Sequence, residues 1–127
     1  MSFLDHLTKD LGLPKGDAFT QDWAYELPEE FRTKEWLKKY ISAYSENHYT
    51  ILEKNSLMEL MIDIINDFLI QGTSFNDTFV TEVLDLLFNN YQSHLQLIEH
   101  WSLDGEPLEN CFALTPEIRQ IKKRINS

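Results

Sequence analysis

A chain of 127 residues, 43% hydrophobic and 13% aromatic, is one domain's worth of protein, able to bury roughly two-thirds of the surface its unfolded form exposes. That composition excludes a disordered or low-complexity chain, and four glycines with four prolines argue against a turn-dense all-β fold. Twenty-one acidic against eleven basic residues leave a net charge of −10, which repels nucleic-acid phosphates and anionic membrane surfaces and attracts a basic partner or divalent cations.

In chain order, Ser2 with Asp5 resembles a capping box, and Phe3, Leu4, Leu7 and Leu11 recur at helical spacing until Gly12 and Pro14 stop the helix. Residues 13–33 hold aromatics (Phe19, Trp23, Tyr25, Phe31) in no regular period, so residues 1–33 read as an irregular, short-helix segment packed on the rest. From about Thr33, the residues Trp36, Leu37, Tyr40, Ile41, Tyr44, His48, Ile51 and Leu52 share one face of a helix. Asn55 and Ser56, with Glu59 following, predict a break and a fresh capping box. Leu57, Met58, Leu60, Met61, Ile62, Ile64, Ile65, Phe68 and Leu69 then make a nearly all-apolar central helix, capped by Gly72. Thr73, Ser74 and Asn76 offer alternative starts for a long helix over about Asp77–Trp101, faced by Val80, Val83, Leu84, Leu87, Phe88, Tyr91, Leu95 and Ile98. Asp104, Gly105 and Pro107 end it, and Cys111–Leu114 is the one plausible extended piece. Thr115–Pro116–Glu117 opens a short last helix, with Lys122, Lys123 and Arg124 at the end that the helix dipole prefers. The expectation is an all-α, single-domain bundle of four to six helices over residues 1–127, built on a long central helix pair and a short C-terminal helix.

Charge is distributed unevenly. From Asn55 to Ile118 there is no lysine or arginine, and every charged side chain in that stretch is a carboxylate. Glu59, Asp63, Asn66 and Asp67 form a narrow polar wedge on the central helix, where like charges at i, i+4 repel by a few tenths of a kcal/mol per pair unless they face water or a cation. An acidic docking face of Glu59, Asp63, Asp67, Glu82 and Asp85 is therefore the leading candidate site. A second candidate is a ligand pocket drawing on His94, His48 and Tyr44, because an imidazole among apolar neighbours needs partners for its nitrogens. The Glu-x-x-His pairs of di-iron bundles are absent, so no metal is assigned.

The single cysteine, Cys111, excludes an intramolecular disulfide and lacks a neighbouring histidine in sequence, so it reads as structural. No phosphate loop, His-Glu-x-x-His helix or Gly-x-Ser-x-Gly elbow occurs, and no catalytic residue or cofactor is assigned. The first residues lack the basic region and long apolar stretch of a signal peptide, and Asp or Glu interrupts every apolar run short of the ~20 residues of a membrane span. The expected protein is a small cytoplasmic one that associates stoichiometrically with a basic protein, with neither nucleic acid nor membrane as partner, and the sequence leaves open whether it is also an enzyme. The alternatives are a helical enzyme or sensor holding a divalent metal or small molecule, and a homodimer formed through the aromatic seam.

Overall fold

The computed structural model describes residues 4–13, 24, 27–47 and 49–126. Over these the protein is all-α, with helices α1 (Leu4–Leu11), α2 (Lys34–Tyr44), α3 (Ile51–Ile70), α4 (Thr78–Asn89), α5 (Leu95–Ser102) and α6 (Thr115–Ile125). Short 3-10 turns occupy Glu29–Phe31, Tyr91–Ser93 and Leu108–Asn110, so the piece around Cys111 is no strand. The chain divides into two compact units, Met1–Ile64 and Ile65–Ser127, with α3 running through the boundary. The Ser2 cap, the aromatics Phe19, Trp23 and Tyr25, and His48 lie outside the described residues.

In the first unit, α1 stops where the chain turns left-handed at Gly12 (φ +72°), a conformation open to a residue without a Cβ. The turn returns two amides to the helix, Leu13 N–H to Thr8 O at 2.8 Å and Gly12 N–H to Lys9 O at 3.4 Å. Thr33 caps α2 by accepting the Trp36 amide at 3.2 Å, and α2 buries Leu37, Tyr40, Ala43 and Tyr44.

Helix α2 ends at Tyr44, eight residues before the predicted end, and the break predicted at Asn55–Ser56 falls inside α3 instead. The cause is a capping box six residues earlier than the predicted one. Glu53 Oε1 accepts the Thr50 amide at 2.8 Å while Thr50 Oγ1 accepts the Glu53 amide at 3.1 Å. Both orphan donors are satisfied at Thr50, and Asn55 and Ser56 are simply carried within the helix. Ile51 and Leu52, expected on the buried face of the preceding helix, stand in the first turn of α3 and are 69% and 61% exposed. Further along, Leu57, Met58, Leu60, Met61, Ile62, Ile64 and Ile65 are buried, a wide apolar arc that leaves the wedge of Glu59, Asp63 and Asp67 less covered. Each of the buried side chains is worth about 1.5–3 kcal/mol of transfer free energy.

In the second unit α3 is closed by Gly72 (φ +103°), with Thr73 N–H bonded to Phe68 O and Gly72 N–H to Leu69 O. The cap of α4 is Asp77, which accepts the amides of Phe79 and Val80 at 2.9 and 3.3 Å, in place of Thr73, Ser74 or Asn76. The single helix predicted over 77–101 is two helices. Asn90 turns its side-chain amide back onto Leu86 O at 2.9 Å and leaves the helical conformation (φ −123°), as does His94 (φ −131°). The Asn90 backbone N–H also reaches Leu86 O at 3.1 Å, so backbone and side chain of the same residue close the end of α4 on one carbonyl. Val80, Val83 and Leu87 of α4, Leu97, Ile98 and Trp101 of α5, and Ile118 and Ile121 of α6 are buried. Thr115 does not cap its own helix: its hydroxyl donates to Trp101 O at 2.8 Å and accepts from Phe112 N–H at 3.1 Å, joining the start of α6 to the end of α5.

Candidate functional site

The carboxylate wedge of α3 is not uniformly solvated. Asp63 receives a hydrogen bond from the Arg32 guanidinium, and the two side chains are 16% and 6% exposed. A second Arg32 nitrogen donates to Ala24 O at 3.0 Å. Asp63 is thus the counter-ion of a buried arginine, a pairing that no local pattern around either residue signals. Asn66, also in the wedge, is 6% exposed and accepts the Leu114 amide at 3.0 Å, so its amide holds the entry to α6. Glu59 and Asp67 are half-buried.

On α4 the picture differs. Glu82 and Asp85 are exposed, and neither forms an ion pair with a described residue. No basic residue stands in the last turn of α4 to neutralise them. Elsewhere in this unit the carboxylates of Glu99 and Asp104 both receive hydrogen bonds from Lys122 of α6, which raises the lysine pKa, chiefly through Asp104.

Of the pocket candidates, Tyr44 belongs to the first unit and is 4% exposed; burial pushes its hydroxyl pKa up to about 12. Lys54 lies 5.4 Å above its ring, within cation–π range. Tyr40 is fully buried and donates to Phe31 O at 2.7 Å, so of the Trp36–Tyr40–Tyr44 seam only Trp36 is part-exposed, with Lys39 placed 4.1 Å over its indole. His94 belongs to the second unit. It stands outside α4, as the residue before α5, and is 1% exposed; burial lowers its pKa to about 4 and keeps the ring neutral at pH 7. His48 lies outside the described residues. Among the described residues no group of three or more His, Cys, Asp and Glu side chains is placed to hold a metal ion.

Hollows open on the surface among the described residues. One of about 510 Å³ in the first unit is bordered by Leu11, Lys38, Ser42, Ala43, Glu46 and Tyr49; the Tyr49 hydroxyl there donates to Asp10 at 2.6 Å. One of about 640 Å³ lies along α6, between Asp104, Arg119, Lys122 and Asn126. Its cations are engaged, because Arg119 donates to the carbonyls of Ser102 (2.7 Å), Leu103 (2.5 Å) and Glu106 (2.9 Å) and Lys122 to its two carboxylates. A third, about 240 Å³, lies between α4 and α6 and brings Asp85 together with Glu117, Thr81 and Gln120, over Leu84 and Ile121 and beside the exposed ring of Phe75. Sequence reasoning missed Glu117 and Phe75 as neighbours of Asp85. Glu117 reads in sequence as the dipole-complementing acid of α6, and only the packing of α6 brings it to Asp85.

Cys111 is part-buried, with its thiol 3.3 Å from Pro107 O and 3.6 Å from an Arg119 nitrogen. No helix among the described residues is long and apolar enough to cross a membrane. No protein-family model, curated protein or solved structure matches the chain.

Proposed function

We propose that this chain is a cytoplasmic binding protein that associates stoichiometrically with a protein of basic surface, using the acidic side of α4 and not chemistry of its own. The observation that carries this reading is that Glu82 and Asp85 are exposed and neither forms an ion pair with a described residue, in a stretch from Asn55 to Ile118 without lysine or arginine. Exposed carboxylates that no ion pair compensates project their field into solvent. With a net charge of −10, that field steers a cationic partner and raises its association rate 10-fold or more at low salt, on general electrostatic grounds.

The reading is tested by native mass spectrometry of the chain recovered from its own host at low ionic strength. The expected result is a basic protein at fixed stoichiometry, released as salt rises past the point where the Debye length falls below about 8 Å. The same recovery with Glu82→Gln and Asp85→Asn combined is expected to lose it. A partner retained equally by that variant and indifferent to salt overturns the acidic-face reading, as does a chain recovered alone at low salt.

A further inference from the structure

We infer that the hollow between α4 and α6 is the seat for one arginine or lysine side chain of the basic partner; the inference rests on the binding reading above and specifies where its charge is read. The hollow measures about 240 Å³, below the roughly 300–1,000 Å³ of sites that enclose a whole small molecule. It is of a size for a single long side chain, and its chemistry is layered as such a side chain is. Leu84 and Ile121 supply apolar surface for a methylene stem. Asp85 from α4 and Glu117 from α6 supply carboxylates for the charged head, and neither forms an ion pair with a described residue. Thr81, Asn76 and Gln120 add neutral hydrogen-bonding groups. Phe75, 44% exposed, adds an aromatic side chain to the rim.

One cation also borders the hollow. Arg124 lies with its guanidinium 3.9 Å from the centre of the Phe88 ring, so stacking holds it on α4. The lining then sums to two carboxylates against one guanidinium, a charge of −1, which a single incoming cation neutralises. The alternative hollow along α6 does not compete for this role, since Arg119 and Lys122 give it the opposite sign and are already bonded.

The probe is acetyl-Gly-Arg-Gly-amide, compared with the same peptide carrying citrulline, a neutral isostere of arginine, and with hexaarginine as a general polycation. Binding is followed by amide shifts of the isotope-labelled full chain at low salt. The arginine peptide is expected to move the signals of Phe75, Asn76, Thr81 and Gln120, and citrulline to leave them in place. Asp85→Asn and Glu117→Gln are each expected to weaken it about fivefold, while Gln120→Glu, which adds a carboxylate on an exposed position, is expected to tighten it about threefold. The gain-of-charge variant keeps the test decisive if a loss variant disturbs the fold. Equal binding of arginine and citrulline, or shifts confined to other residues, overturns the seat; if hexaarginine still binds and Glu82→Gln weakens it, the wider acidic-face reading stands. Failure of hexaarginine to bind at low salt overturns both.

Discussion

The guanidinium of Arg32 donates to the carboxylate of Asp63 across 31 residues of chain, and both side chains are largely withdrawn from water. An ion pair so placed differs in kind from the carboxylates of α4. Its two charges compensate one another, and removing either leaves the other buried without its counter-ion. Asp63→Asn is therefore expected to lower the unfolding free energy by about 3 kcal/mol, and Arg32→Met with Asp63→Leu to recover most of that loss. Glu82→Gln, on the exposed side of α4, is expected to change it by no more than about 0.5 kcal/mol. Urea denaturation of the four proteins checks this. Equal effects of Asp63→Asn and Glu82→Gln would mean that the pair is solvated and that Asp63 belongs with the docking face.

The start of α3 provides a second contrast. Thr50 and Glu53 exchange hydrogen bonds as a capping box, and Glu53 is 2% exposed. Thr50→Ala is expected to cost about 1 kcal/mol. Ser56→Ala, at the place where the sequence pattern puts the cap, is expected to be neutral or to stabilise by about 0.5 kcal/mol, because the position is helix interior and alanine is the better helix former. The reverse ranking of the two midpoints in a denaturant titration would restore the break at Asn55–Ser56.

That misplacement shows what was legible. The apolar residues of α3 and α4 repeat with so regular a period that helix, burial and the Gly72 stop follow from spacing alone. Two nearby Ser/Thr-x-x-Glu patterns, Thr50–Glu53 and Ser56–Glu59, satisfy the same local rule, and only tertiary packing decides between them. The interruption at Asn90–His94 was hidden for a related reason: Tyr91 and Leu95 keep the apolar period of a continuous helix while the backbone leaves the helical conformation at Asn90 and again at His94. As for the site, the exposure of Glu82 and Asp85 follows from their place on the polar side of α4. The removal of Asp63 by Arg32 and the approach of Glu117 to Asp85 do not, since each depends on which surfaces distant elements bring together.

Arg119 ties down the end of α5. That helix leaves carbonyls without intrahelical partners, and the chain then turns left-handed at Leu103 (φ +43°), an unfavourable conformation for a residue with a branched side chain. One guanidinium accounts for Ser102, Leu103 and Glu106 together. Arg119→Lys keeps the charge but not the planar fork, and is expected to cost about 2 kcal/mol. Hydrogen exchange at Leu103–Cys111 should rise in the variant while α4 stays protected. Unchanged exchange in that segment would show that Leu103 holds its turn without the arginine.

His94 gives the protein a pH dependence of definite sign. Burial lowers its pKa from 6.5 to about 4, so the folded protein keeps the ring neutral through a range in which the unfolded chain takes up a proton. The stabilisation is complete above about pH 6.5 and is lost as pH falls towards 4, at up to about 1.4 kcal/mol per pH unit. Between pH 7 and pH 5 the share due to His94 is about 2 kcal/mol by that slope. Native-state carboxylates with lowered pKa values act in the same direction, so the wild-type slope alone does not isolate the histidine. His94→Gln does, because glutamine is neutral at both pH values: whatever its own stability, its loss between pH 7 and pH 5 should be smaller than the wild type's by that amount. Guanidinium denaturation of both proteins at the two pH values makes the comparison, and parallel losses would mean that His94 is protonated in the folded state as readily as in the unfolded one.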